Sequence, residues 1–115
     1  MQRKEFISFE DFHKIDIRVG TILEAELFPK AKKPAYKLRI DFGEIGVLSS
    51  SAQITQLYDN EMLVGQQVIA VVNFPPKQIA DFQSECLILG IVNEDNSEVI
   101  LIQPQQKAKN GGRIA

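Results

Sequence analysis

The sequence predicts an all-β fold, a small closed or nearly closed antiparallel barrel, and three observations favour it. About six short segments have the alternating or β-branched apolar pattern of strands, and turns rich in Gly, Pro or Asn separate them. One helical segment lies among the strands, so the strand-helix rhythm of a parallel sheet is missing. With 115 residues, 44% of them hydrophobic, the chain can bury one core, and we expect a single domain over residues 1–115.

The first half of the chain predicts one short helix and three strands. Ser8 stands three residues ahead of Asp11, a capping-box spacing that predicts a helix over residues 9–14. Alternation from residue 16 predicts a first strand that ends at residues 27–29. Its expected buried face consists of Ile17, Val19, Thr21 and Leu23. A second strand with a charged outer face spans residues 36–42, and a short third strand follows at residues 45–49.

The second half predicts one helical turn and three further strands. Residues 50–58 have the pattern of a helical turn capped by serine hydroxyls, with Ile54, Leu57 and Tyr58 facing inward. Apolar runs predict strands within residues 68–73, 87–91 and 98–103. We expect the polar tail, residues 104–115, to be loosely docked. Because this tail, which carries three basic residues, lacks a partner of its own and short strands leave exposed edges, we also expect a twofold dimer. These basic residues are Lys107, Lys109 and Arg113.

The residue inventory gives no support for catalysis. His13 is the one histidine, and the His-x-x-x-His, Cys-x-x-Cys and Gly-x-Ser-x-Gly patterns are missing from the sequence. Glu24 and Glu26 share a strand face, where a solvated surface is a better explanation than a glycosidase-like carboxylate pair. Cys86, the one cysteine, opens an apolar strand and is expected to be a buried structural thiol. We therefore predict no enzyme activity, no metal site and no cofactor.

The apolar segments of the chain are short. The start of the sequence leads into no apolar leader segment, and the runs at residues 68–72 and 100–102 fall far below the ~20 residues that cross a bilayer. A single cysteine also excludes an intramolecular disulfide. We therefore expect a cytoplasmic protein without membrane insertion.

The sharpest charge feature is a basic run at residues 30–39. It holds five basic residues, one aromatic and no acid, although the whole chain has a net charge of −2. A basic loop between the first two strands of a small barrel can hold phosphates, with an aromatic ring available for base stacking. The candidate nucleic-acid-binding residues are Lys30, Lys32, Lys33, Tyr36, Lys37, Arg39 and Lys77. A solvated lysine-rich loop with Tyr36 packed in the core explains the run equally well.

An apolar stretch follows the most apolar predicted strand. Its diproline fixes the backbone, and its aromatic side chains supply apolar area that can capture a polypeptide. The candidate polypeptide-binding residues are Phe74, Pro75, Pro76, Ile79 and Phe82. The alternative, which composition alone favours, is a tight connector that covers the barrel end, with Phe74 and Ile79 as plugs.

Four segments carry a resemblance to a known family: DIRVGTI at residues 16–22, PAYKL at 34–38, SSAQIT at 50–55 and VIAVVNFPPK at 68–77. In this order they are similar to the CsaA-like export-related chaperones of the tRNA-binding-domain family. The resemblance implies an OB-fold Greek-key barrel with short helices and terminal extensions. It also implies a homodimer that binds unfolded or export-destined polypeptides, with a family history of tRNA binding. It brings no catalytic residue, because the catalytic and editing sites of the related synthetases lie outside this module.

The sequence departs from the family pattern at two positions. Gln78 stands where the family usually has a second basic residue, and Asp81 stands where it usually has glycine. Both changes lower the positive potential near Lys77, which weakens the tRNA hypothesis more than the polypeptide hypothesis. Three functions stay open: a polypeptide-binding chaperone, a tRNA-binding module and a purely structural dimer.

Overall fold

The computed structural model describes residues 2–115, and most of its regular structure is antiparallel strand. In chain order the elements are α1 (Phe9–His13), β1 (Ile17–Leu27), β2 (Tyr36–Asp41), a short 3-10 helix (Gly43–Ile45), β3 (Val47–Ala52), α2 (Asn60–Leu63), β4 (Gln67–Val71), β5 (Lys77–Ile79), β6 (Phe82–Ser84), β7 (Leu87–Ile88), β8 (Gly90–Val92) and β9 (Val99–Leu101). The predicted helix and the first two predicted strands are confirmed to within a few residues. The β5–β6 hairpin was not predicted.

A five-stranded antiparallel sheet forms the barrel, in the order β3-β2-β1-β4-β7. Strands β1 to β3 make a meander and β4 returns beside β1, which is the strand order of a Greek key. Hydrogen bonds between β3 and residues 84–86 draw the edges of the sheet together. The Glu85 N–H donates to the Ser49 carbonyl over 2.8 Å, and the Ser50 hydroxyl donates to the Cys86 carbonyl over 2.9 Å. The all-β class and the OB-fold Greek-key barrel are therefore confirmed.

The inward face of β2 forms the centre of the core. Tyr36, Leu38 and Ile40 are each at most 5% exposed, because the two-residue period of a strand places them on one face. Lys37 and Arg39 lie on the opposite face, as the alternation predicts. Buried side chains from the other strands and from α2 complete this core: Ile22, Ala52, Leu63, Val68 and Ala70.

The predicted buried face of β1 was wrong in part: Val19 is buried, but the face that points into the barrel is the other one. The barrel side carries Gly20 and Ile22, and a Cβ on Gly20 would lie 2.7 Å from the side chains of Ile40 and Phe42. Leu23, which was predicted to be buried, is 44% exposed. A bulge between Ile22 and Glu24 breaks the alternation at this point, so one simple pattern cannot describe the whole strand.

The C-terminal tail is docked along β1, so the expectation of a loose tail was also wrong. The Val19 N–H donates to the Gly112 carbonyl over 3.0 Å, and the Ile114 N–H donates to the Ile17 carbonyl over 2.9 Å. These contacts bury Val19 on the face of β1 that points away from the barrel core. Because the tail has a partner within its own chain, it no longer argues for a dimer.

Residues 50–52 complete β3 and do not begin a helical turn. The Ser50 hydroxyl is buried and bonds across the barrel to residue 86, so it does not cap a helix. Ile54 is buried as expected, whereas Leu57 lies exposed in a turn. The helical residues come later, in α2.

Both helices are short. In α1 the Asp11 N–H donates to the Ser8 hydroxyl over 3.1 Å, and the Ser8 N–H donates to the Asp11 carboxylate over 3.2 Å, which confirms the capping box. Helices α1 and α2 have five and four residues. Across residues 2–115 no helix combines the length and the apolar character that a bilayer crossing needs.

Candidate binding groove

A surface groove runs between the loop of residues 30–35, the end of β3 and the β5–β6 hairpin. Its basic part has a volume of about 560 Å³ and is lined by Lys30, Lys32, Lys33, Gln53, Lys77 and Ile79, among others. Its apolar part, about 480 Å³, continues towards β7, β8 and β9 and is lined by Ile54, Ile79, Cys86, Ile88, Val92 and Val99, among others. Ser51, Gln53, Lys77 and Ile79 line both parts, so the two form one continuous surface. We call this surface the groove.

The loop of residues 30–35 is anchored at its base. The Phe28 N–H donates to the Ala35 carbonyl over 3.0 Å, and the Ala31 N–H donates to the Phe28 carbonyl over 3.2 Å. Phe28 and Ala35 are both buried, whereas Lys30, Lys32 and Lys33 are exposed. Apolar anchors therefore hold a tight loop that presents lysines to solvent at the groove.

The β5–β6 hairpin supplies the opposite side of the groove. Ile79 pairs with Phe82, so Ala80 and Asp81 form a two-residue turn, and Ala80 takes the left-handed conformation with φ of 53°. The Gln78 side-chain amide donates to the Ala80 carbonyl over 2.7 Å and ties the turn together. This turn brings Asp81 to the loop of residues 30–35.

Three of the five basic residues in the run of residues 30–39 are paired with acids. Lys30 contacts Asp81 at 2.7 Å, while Lys37 and Arg39 contact the carboxylates that precede them on β1, Glu26 at 3.5 Å and Glu24 at 3.8 Å. The hydrogen bond between Lys30 and Asp81 raises the pKa of the lysine and lowers the pKa of the aspartate.

The remaining lysines of the groove are free of such pairs. Lys32, Lys33 and Lys77 form no ion pair with any residue in the described range 2–115. These three are the cations of the groove that are ready for an anionic ligand.

Tyr36 lies in the core and not in the groove. The residue is 5% exposed, and its hydroxyl donates to the Tyr58 carbonyl over 2.6 Å. This position leaves no exposed ring face for base stacking, and the structure favours the core alternative for this residue.

Phe82 packs against Phe28 on the outer side of β2, and Lys37 lies over both rings. The Phe82 ring meets Phe28 edge to face, with 5.4 Å between ring centroids. The Lys37 ammonium lies 5.5 Å from the Phe28 centroid and 6.0 Å from the Phe82 centroid. Neither Phe82 nor Lys37 lines the groove.

The predicted site residues are thus only partly brought together. Lys30, Lys32, Lys33 and Lys77 line the groove with Ile79, whereas Arg39 lies outside its lining. Pro75 and Pro76 are exposed and Phe74 is 55% exposed, and none of the three lines the groove.

Sequence reasoning missed the β3 side of the groove. Ser51 and Gln53 line both of its parts, but their segment was read as a helical turn. The SSAQIT segment at residues 50–55 was one of the signals of the family resemblance, and it could have directed attention to these two side chains.

Neither Cys86 nor Ser50 is placed to act as a nucleophile. Burial raises the pKa of the Cys86 thiol to about 12, so the thiol stays protonated at neutral pH. The Ser50 hydroxyl is used in its bond to the Cys86 carbonyl. Among residues 2–115, no group of three His, Cys, Asp or Glu side chains is placed to hold a metal ion.

Two solved structures are very similar to this one. The crystal structure of chaperone CsaA from Bacillus anthracis is 51% identical, with a TM-score of 0.91, and the match covers 96% of this chain and all of the other. The crystal structure of the CsaA chaperone protein from Picrophilus torridus is 52% identical, with a TM-score of 0.88 and the same coverage. The MetRS related protein from Pyrococcus horikoshii shares 28% identity and a TM-score of 0.85.

Curated sequences show the same relationship. Methionine–tRNA ligases from Methanococcoides burtonii and Porphyromonas gingivalis are 37% and 41% identical over 109 and 110 residues. These matches cover 94% and 96% of this chain but only 16% of each ligase, so the chain spans a small part of those relatives. The family model described as a putative tRNA binding domain matches residues 17–113. The chain therefore belongs to the putative tRNA binding domain family.

Proposed function

We propose that this chain, acting as one domain over residues 1–115, is a molecular chaperone that binds unfolded or export-destined polypeptides in the groove. In this proposal it works in the cytoplasm as a homodimer and catalyses no reaction. The observation that carries the proposal is the continuity of the apolar and basic parts through Ile79 and Gln53. An unfolded polypeptide needs apolar contacts for its side chains and polar partners for its backbone, and the groove offers both.

The size of the apolar part sets the expected affinity. A space of about 480 Å³ accepts a few side chains. Two apolar side chains buried there would contribute about 3–6 kcal/mol before the cost of ordering the polypeptide. One groove should therefore bind weakly, with a Kd of roughly tens of micromolar or higher. Two grooves on one dimer would raise the affinity through avidity, and weak sites allow rapid release.

The degree of similarity also favours a chaperone. The two CsaA chaperone structures are 51% and 52% identical to this chain, while the two methionine–tRNA ligases named above are 37% and 41% identical. Higher identity to the chaperones supports a shared use of the groove.

Exposed apolar side chains near the N-terminus support the homodimer. Phe6 and Phe9 are 87% and 83% exposed, and Ile7 lies between them. Leaving two aromatic rings and an isoleucine in water is unfavourable, and a second copy of the chain could cover them. Sedimentation that shows only a 12.9 kDa species at micromolar concentration would contradict the homodimer.

The groove is tested by replacing Ile79 and measuring binding to a reduced, carboxymethylated polypeptide that cannot refold. Ile79→Ser removes an apolar side chain that both parts share, and losing about 1.5 kcal/mol of contact should raise the Kd about tenfold. Ile45→Ser is the matched control, because Ile45 is exposed on the 3-10 helix and lies outside the groove. Equal affinity of the Ile79 and Ile45 variants would refute the groove as the binding site.

The second candidate function is tRNA binding, and Lys32, Lys33 and Lys77, which have no carboxylate partner among the described residues, favour it. Three phosphate contacts give a shallow salt dependence, with a log–log slope of about −2 to −3. Replacing Lys32 and Lys33 together by Glu should abolish tRNA binding and leave the fold intact. Unchanged tRNA affinity in this double variant would exclude the basic part as the tRNA site.

A further inference from the structure

One ion pair closes the edge of the basic part of the groove. The Lys30 ammonium donates to the Asp81 carboxylate over 2.7 Å, although the two residues are 51 positions apart in the sequence. Lys30 belongs to the loop of residues 30–35, and Asp81 sits on the turn of the β5–β6 hairpin. The pair therefore joins the two sides of the groove.

This ion pair makes Lys30 less available to an anionic ligand. Of the four lysines that line the basic part, Lys30 alone has a carboxylate partner within the described residues 2–115. A phosphate that approaches Lys30 has to displace the Asp81 carboxylate and then lie close to its negative charge. Lys37 also feels this carboxylate, since its charge helps to lower the pKa of Asp81.

The apolar part of the groove does not involve this pair. Its lining includes Ile54, Ile88 and Val99 but neither Lys30 nor Asp81. An apolar side chain of a polypeptide could therefore enter it with the ion pair intact.

We propose that Asp81 is a specificity-determining residue, whose carboxylate occupies Lys30 and thereby disfavours nucleic acid without weakening the binding of polypeptide. The polypeptide half of this inference rests on the proposed function. Asp81 takes the place at Lys30 that a backbone phosphate would otherwise take. Selectivity in this form comes from a repulsive element against the unwanted ligand and not from a new contact to the wanted one.

The exposure of the pair makes it suitable for a test. The side chains of Lys30 and Asp81 are 66% and 63% exposed. Exposed ion pairs contribute little to stability, so removing this one should leave the barrel folded. Asn is also a common turn residue, and Asp81→Asn should keep the hairpin turn.

The expected gain follows from counterion release. Freeing one cation for a phosphate makes the slope of log K against log salt steeper by about 0.7–0.9, which is about a sixfold gain in affinity at 0.1 M salt. Asp95→Asn is the matched control. It makes the same change of charge on an exposed hairpin turn, where Asp95 accepts from the hydroxyl and the N–H of Ser97 and forms no ion pair within residues 2–115.

The experiment measures binding of unfractionated tRNA and of the carboxymethylated polypeptide to the full chain at several salt concentrations. We expect Asp81→Asn to bind tRNA about sixfold more tightly at 0.1 M salt than the unmodified chain. We expect its affinity for the polypeptide to change less than twofold, and Asp95→Asn to show no comparable gain for tRNA. The gain should vanish when Lys30→Gln is combined with Asp81→Asn.

Three results would overturn the inference: no gain for tRNA, an equal gain in Asp95→Asn, or a gain that persists with Lys30→Gln. Loss of polypeptide affinity in Asp81→Asn would also overturn it. A failure of the proposed function gives a different result. The unmodified chain would then not bind the polypeptide, whereas the tRNA affinities of the unmodified chain and the Asp81→Asn variant could still be compared.

Discussion

Replacing Phe82 by serine should destabilise the barrel and leave the binding of polypeptide nearly unchanged. Phe82 is partly buried, packs edge to face on Phe28 and lies 6.0 Å from the Lys37 ammonium. The edge-to-face pair contributes about 0.5–1.5 kcal/mol and an exposed cation–π contact about 0.5–1 kcal/mol. Together with the loss of the apolar area that the ring buries, we expect these two contacts to lower the free energy of unfolding by a total of about 2–3 kcal/mol when they are removed.

Thermal unfolding followed by circular dichroism measures this loss. For a chain of this size the melting temperature should fall by about 8–12 °C. The matched control is Phe74→Ser, because Phe74 is 55% exposed and has no aromatic partner among the described residues 2–115. The control should shift the melting temperature little. A Phe82→Ser variant with an unchanged melting temperature and a tenfold weaker affinity for the polypeptide would refute this reasoning and place Phe82 in the binding site.

Two further predictions concern the link between β3 and Cys86. Ser50→Ala removes the buried hydroxyl that donates to the Cys86 carbonyl, and the unpaired carbonyl should lower the free energy of unfolding by about 1–3 kcal/mol in urea denaturation. Unchanged stability would show that another donor replaces the hydroxyl. Because burial raises the pKa of Cys86 from 9.0 to about 12, the native thiol should resist Ellman's reagent at pH 8 until urea is added. Fast labelling of the native chain would contradict the burial of this thiol. Because the unfolded thiol ionises at lower pH than the native thiol, the free energy of unfolding should also decline as the pH rises from about 9 towards 12.

The parts of the fold that sequence reasoning predicted correctly depend on local spacing. The alternation along β2 places Leu38 and Ile40 on one face of the strand, whichever residues the other strands contribute to the core. The Ser8 capping box depends only on two residues that are three positions apart. The failures depend on distant contacts. The tail of residues 111–114 covers the start of β1 from outside and buries Val19, so both faces of the strand are covered there. Further along β1 the bulge between Ile22 and Glu24 shifts the alternation, and Leu23 is exposed.

The candidate site follows the same division. Exposure of Lys32 and Lys33 could be predicted from a basic loop rich in lysine. The ion pair of Lys30 with Asp81 could not, because it depends on the β5–β6 turn reaching that loop. Phe82 was placed among the polypeptide-binding residues because an aromatic side chain supplies apolar area, and its contact with Phe28 could not be predicted because 53 residues separate the two rings in the sequence.

Amide chemical-shift mapping by NMR, with the reduced, carboxymethylated polypeptide as ligand, tests most directly whether polypeptide binds in the groove. If it does, the largest shift changes will fall in three segments that line the groove: residues 51–54 at the end of β3, residues 77–80 in β5 and its turn, and residues 86–90 from β7 to the start of β8. Changes centred on Asn73 and Phe74, the two residues that precede the diproline, with no change in these three segments, would contradict the proposal.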